Sequence, residues 1–210
     1  MRRCLLTLAK LGYAVQDGSN YALQPKVMSL GYAYLSSTPL ALRAQPLLDR
    51  LRDELGESCS LGIVDDDQVC YIARAEVSRI MSIALRVGSR LPLYATSMGG
   101  VLLAGMARED RAAYFRRTDL VARTDQTETV PARLQTLCDK VAEEGCAIID
   151  QELETGLRSV AVPVFGMTGR VVAAINVGTQ ASRVSLADLR TQYLPSLRRC
   201  ARELTATGLV

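Results

Sequence analysis

The chain contains no histidine. That absence removes Ser-His-Asp and Cys-His nucleophilic catalysis and most zinc sites, because each needs an imidazole. Lysine is scarce, confined to Lys10, Lys26 and Lys140, so the positive charge rests on arginine. Six cysteines (Cys4, Cys59, Cys70, Cys138, Cys146 and Cys200) include no CxxC pair. They read as buried free thiols rather than a metal or redox motif. No apolar run is long enough to span a bilayer, and no repeat or low-complexity tract is present. No cofactor, metal or membrane partner is expected.

What is present is 210 residues, 49% apolar, with a formal charge of +3. That supports one good core with a small appendage. The mild basicity permits nucleic-acid binding without demonstrating it. In the N-terminal MRRCLLTLAKLGYA, Lys10 interrupts the apolar stretch. Leu5, Leu6, Leu8 and Leu11 fit a helix face better than a signal peptide, so the chain is expected in the cytoplasm.

Arg2 to Leu11 reads as a helix stopped by Gly12. Asp17-Gly18-Ser19-Asn20 then turns a hairpin between Tyr13-Ala-Val-Gln and Tyr21-Ala-Leu. Helix followed by tight hairpin is the back half of a winged helix. Pro25 opens a further helix to about Leu35, bearing Met28, Leu30, Tyr32 and Tyr34. The segment Ser36–Pro39 breaks it, with Thr38 and Pro39 starting another helix whose apolar face is Leu42, Leu48, Leu51 and Leu55. The domain junction is placed at that break.

Beyond Gly56 the pattern becomes mixed. Ser58–Val64 and Gln68–Glu76 read as a hairpin about Asp65-Asp66-Asp67, with Cys70 opposite Gly62 or Ile63. Ile80–Leu85 reads as a strand, Met98–Met106 and Arg108–Arg116 as helices, and Thr118–Glu128 as a surface loop. A helix over Pro131–Glu144 is followed by strands at Cys146–Asp150, Ser159–Phe165 and Val171–Gly178. Ser185 caps one long final helix. The fold class is α+β, an antiparallel sheet with helices packed on it.

The segment Leu85–Met106, LRVGSRLPLYATSMGGVLLAGM, carries the strongest chemical signal. A Thr96-Ser97 turn feeding a helix through Met98, Gly99 and Gly100 aims unpaired N–H groups outward, which suits a carboxylate or phosphate. An ordinary strand-to-helix connection explains the same residues.

In this order, RRCLLTLAKLGYA with a DG wing, PKVMSLGYAYL, RLPLYATSMGGVLLA, EEGCAIIDQELETGLRSVAVPV and RVVAAINVGTQASR resemble IclR-type transcriptional regulators along essentially the whole chain. LPLYATSMG and GLRSVAVPV look most like the regulators of aromatic-acid catabolism, the protocatechuate and 4-hydroxybenzoate group. The resemblance implies a truncated winged helix-turn-helix remnant (1–24), a linker helix (25–38) and an effector-binding domain with a curved sheet (39–210). It implies further helices before Met1, so specific operator binding is not expected of this stretch alone. At position 100 the family often has a basic residue, and Gly100 implies a less cationic pocket rim.

The resemblance maps an effector pocket onto Ser97, Met98, Asp150, Ser159, Asn176 and Gly178, with Thr96 and Gly99 completing the helix start. Strand alternation supports part of this: Ser159, Ala161 and Pro163 share one face, as do Ala174, Asn176 and Gly178. Arg158 points away from Ser159 and is read as a structural partner for Asp150. Arg86 and Arg90 flank the signal segment. An internal hydrogen bond for Asn176 and a turn or cap role for Asp150 compete at even weight.

On the first helix Arg2, Arg3 and Lys10 are candidates for phosphate contact, beside the alternative of a solvated face. The expected partners are a small aromatic carboxylate or related metabolite, operator DNA for the full-length protein, and a second copy in a dimer or dimer of dimers. Two other readings are a constitutive dimerisation module and an enzyme using Cys146 or Ser97 as nucleophile. Without histidine the enzyme is the poorest of them.

Overall fold

A computed structural model describes residues 2–37, 39–77 and 85–207. The expected strand at Ile80–Leu85 and the expected cap at Thr38 fall largely or wholly outside them. The chain divides into two compact units, residues 1–42 and 43–210. That division lies in the first turn of the third helix rather than at Ser36–Pro39.

In the first unit α1 (Arg2–Lys10) leads into an antiparallel hairpin of β1 (Ala14–Asp17) and β2 (Asn20–Leu23), then α2 (Val27–Ser37). Gly12 adopts φ 77°, the left-handed turn that ends α1. Lys26 ties α1 to the chain after the hairpin, donating to the Leu11 carbonyl at 2.8 Å and sitting 5.0 Å from the Tyr13 ring centre.

The second unit is built on a six-stranded sheet ordered β5-β4-β3-β8-β7-β6, with every neighbouring pair antiparallel. Its strands are β3 (Cys59–Asp65), β4 (Gln68–Ala75), β5 (Arg90–Pro92), β6 (Ala147–Asp150), β7 (Leu157–Phe165) and β8 (Val171–Gln180). The aspartate hairpin places Cys70 opposite Ile63.

One sheet face carries α4 (Ser97–Ala104), which lies over β6, β7, β8 and β3, with α6 (Pro131–Glu144) against it and α5 (Arg108–Arg117) beside α6. Small residues permit the close approach: Ala147, Ala161 and Ala174 stand in one core with Leu93, Met98, Leu102 and Leu103. The opposite face alternates in β7 as buried Val160, Val162 and Val164. It is covered by α8 (Leu194–Ala206), which is pinned to α3 (Pro39–Leu55) where Glu54 accepts from Ser196 at 2.6 Å and Arg199 at 2.5 Å.

The long terminal helix expected after Ser185 is present over 186–206, but it is not α-helical throughout. Ser185 does cap it, in a reciprocal box with Asp188 at the start of α7 (Leu186–Asp188). The helix then passes through a π-helical segment, Leu189–Tyr193, before α8. Pro195 has no N–H for the carbonyl four residues back, and the extra residue absorbs that gap.

Candidate effector pocket

A cavity of about 980 Å³ opens between the sheet and the start of α4. Its floor is laid by cross-strand register. Ser60 on β3 faces Asn176 on β8, which faces Ala161 on β7. One row along, Gly178 faces Ser159. Directly opposed residues share a face, so two adjacent strands present Asn176, Gly178 and Ser159 to the same space, all three lining it.

The α4 wall begins at Thr96, an N-cap in extended conformation whose hydroxyl accepts from the Gly99 N–H at 3.1 Å and donates to the Pro92 carbonyl at 2.9 Å. Ser97 follows, fully buried, and its Oγ has no hydrogen-bond partner among the described residues. An unpaired buried hydroxyl costs about 1–3 kcal/mol unless something else in the cavity satisfies it.

A rim forms from Leu153, Glu154, Thr155 and Gly156. Gln151, with φ 63°, turns the chain into this rim. Thr124 and Thr127 clamp it by donating to the Gln151 and Glu152 carbonyls at 2.7 and 2.6 Å. The polar loop Thr118–Glu128 therefore holds the rim in place. On the far wall stand Tyr71, Arg74 and Glu57. Burial pushes the Tyr71 phenol up to about 12, so it stays a neutral hydroxyl. Glu57, 4% exposed, lies 3.5 Å from Arg183.

Of the expected pocket residues, Thr96, Ser97, Ser159, Asn176 and Gly178 line the cavity; Met98, Gly99 and Asp150 do not. Met98 is buried in the core beside Leu102 and Leu103. Gly99 is packed against the Leu93 backbone. Asp150 is opposite Arg158 in register and is held by it, Nε at 2.6 Å from one carboxylate oxygen and Nη2 at 3.3 Å from the other. Arg158 also donates to the Ala181 and Val184 carbonyls, so the pair is a structural staple outside the cavity lining.

Arg86 is exposed, and Arg90 is spent on Asp65. Cys146 is outside the cavity lining, and burial raises its thiol above the usual range. Among the described residues no cluster of acidic or cysteine side chains could hold a metal. Arg3 and Lys10 are exposed on α1, as the phosphate reading requires; the side chain of Arg2 lies outside the described part.

The Arg158 hydrogen bond, and secondarily the one from Gln151, holds the Asp150 carboxyl below its ordinary value against the opposing effect of burial. A folded-state value below the unfolded one gives stability that is complete above the unfolded value and fades as pH falls through the folded one. The gap in Tm between the wild type and Asp150→Asn is therefore expected to shrink as pH is lowered from about 6 to about 3. Parallel melting curves across that range would show that the pair contributes nothing to acid sensitivity.

The second unit is thus an antiparallel sheet with helices on both faces and a cleft at a helix start. The family described as "Bacterial transcriptional regulator IclR C-terminal" matches residues 32–206, and the chain belongs to the IclR family. It is 49% identical to the Pca regulon regulatory protein of Pseudomonas putida over 97% of this chain and 70% of that protein. A transcriptional regulator from Rhodococcus sp. RHA1 matches with a TM-score of 0.88 at 44% identity, covering 99% of this chain and 83% of that one. The inducer-binding domain of PobR from Acinetobacter, solved as a double mutant in complex with 3-hydroxybenzoic acid, matches with a TM-score of 0.75 at 31% identity. That alignment covers 79% of this chain and 97% of the PobR domain. The chain thus contains the effector-binding domain of an IclR-family regulator, related to Pca and PobR regulators of aromatic-acid metabolism.

Proposed function

We propose that the cavity binds a small aromatic carboxylate or a related keto acid, and that this binding controls a DNA-binding unit. The observation that carries the reading is the buried Ser97 hydroxyl, which has no partner among the described residues, in a cavity whose volume, about 980 Å³, suits a small organic ligand. The α4 start and the cross-strand hydroxyl and amide groups add donors for a carboxylate and for ring hydroxyls. In this reading residues 1–24 belong to a winged helix-turn-helix, with Arg3 and Lys10 toward phosphates, 25–38 form the linker helix, and 39–210 sense the effector. A ligand shifts operator affinity only through different affinities for two domain arrangements.

The test is thermal unfolding with protocatechuate, 4-hydroxybenzoate and levulinate. At a concentration near 100 Kd a bound acid contributes about 2.7 kcal/mol, which for a chain of this size raises Tm by about 5–10 °C. No shift with any of the three, and none in calorimetric titration, removes the effector assignment.

A further inference from the structure

The aspartate hairpin contains a defect that changes which side chains reach the cavity. In β4, Tyr71 pairs with Gly62 but Ala73 pairs with Leu61, so Ile72 is an extra residue facing no partner of its own. A bulge of this kind resets the alternation of the strand. Counted from Val69 and Tyr71, strict alternation would put Ala73 and Ala75 toward the cavity and Arg74 away from it. The bulge reverses this. Ala73 and Ala75 turn into the opposite core, each 2% exposed, and Arg74 lines the cavity opposite Ser60, in the row that continues to Asn176.

The guanidinium is held before any ligand arrives. Its Nη1 donates to the Ser60 hydroxyl at 2.8 Å and its Nε to Glu76 at 2.9 Å, and its side chain is only 10% exposed. These two bonds use two of the five N–H donors of an arginine. Glu76, the acidic partner, is 57% exposed, so solvent screens that pairing more than it would screen one formed inside the cavity. Glu57 lines the same cavity but has Arg183 beside it. Among the described residues, Arg74 is thus the guanidinium in the cavity lining, oriented by a hydroxyl and backed by a solvated carboxylate.

We propose that Arg74 is the carboxylate anchor of the cavity, and that the Ile72 bulge makes the site select acids over their neutral analogues. This rests on the effector reading above. The planar fork suits bidentate capture of a carboxylate, which an amide cannot match because it brings no charge.

The experiment is calorimetric titration of the wild type, Arg74→Gln and Arg74→Lys with 4-hydroxybenzoate, protocatechuate and levulinate, each paired with its amide. In the wild type the acid is expected to bind at least about tenfold more tightly than the amide, the scale of a charge-assisted bond. In Arg74→Gln acid affinity drops by roughly 10–100-fold while amide affinity holds, so the preference disappears. Arg74→Lys keeps the charge without the fork and loses acid affinity by a smaller factor. It carries the same comparison if Arg74→Gln does not fold.

An arginine serving only to brace Ser60 and Glu76 would weaken acid and amide equally, or neither. That result overturns the assignment of Arg74 and leaves the effector site standing. Binding of none of the three acids to the wild type overturns both.

Discussion

Gly99→Ala is expected to cost the effector unit about 3 kcal/mol or more of unfolding free energy, the upper end of what overpacking a core does. A Cβ at position 99 would lie 2.0 Å from the Leu93 carbonyl oxygen and 2.4 Å from the Leu93 Cα. The obstacle is backbone, and that backbone has nowhere to go. Leu93 is fully buried, and the turn from Leu93 into α4 is locked by the Thr96 hydroxyl on the Pro92 carbonyl at 2.9 Å. Relief requires α4 to lift from the sheet, which loosens Met98, Leu102 and Leu103 against Ala161 and Ala174. Gly100 is the internal control. A Cβ there meets only the Ala147 methyl, at 3.2 Å, and alanine gains about 1 kcal/mol over glycine in a helix. Urea unfolding should separate the two substitutions clearly. Equal midpoints would show that the Leu93 contact does not set the height of α4.

The same contact explains why four consecutive residues at the start of α4 could not all belong to the site. An α-helix turns through about 100° per residue, so Ser97 faces the cavity while Met98 enters the core and Gly99 meets Leu93. Of the helix-start residues expected at the pocket, Thr96 and Ser97 line the cavity and Met98 and Gly99 do not. The strand faces were legible because period-two alternation is local. Ser159 and Gly178 are paired in register and share the cavity. Asp150 could have been placed from the same logic. It is opposite Arg158, and alternation turns Arg158 to the far side from Ser159. Arg74 could not. A bulge leaves no reliable mark in composition, and one unannounced residue at Ile72 inverts every assignment downstream of it. The π segment before Pro195 is different: the proline is plain in the sequence, but the way a helix accommodates it is a tertiary outcome.

Gly178→Leu is expected to do the reverse of Gly99→Ala, keeping the fold and losing the ligand. Among the described residues an added Cβ at position 178 finds only Leu157 Cδ1, at 3.9 Å, because the face it would occupy is the cavity floor between Ser159 and Asn176. Gly178 sits in β8, paired with β7 and close to β3, where its N–H donates to the Ser58 carbonyl at 3.2 Å. Glycine inside a strand is destabilising by roughly 0.5–1 kcal/mol relative to alanine, so a side chain that fits holds or raises Tm. The leucine then stands where the effector would. Affinity for an acid that binds the wild type is expected to fall by more than about 30-fold, close to 2 kcal/mol, and Gly178→Ala should fall between. Calorimetric titration reads the binding, thermal unfolding the fold, and light scattering the oligomeric state. Undiminished binding by Gly178→Leu at an unchanged Tm would put the ligand somewhere other than this cavity. Lost binding with the same oligomeric state would separate ligand sensing from assembly, which is the distinction between a regulator domain and a constitutive dimerisation module.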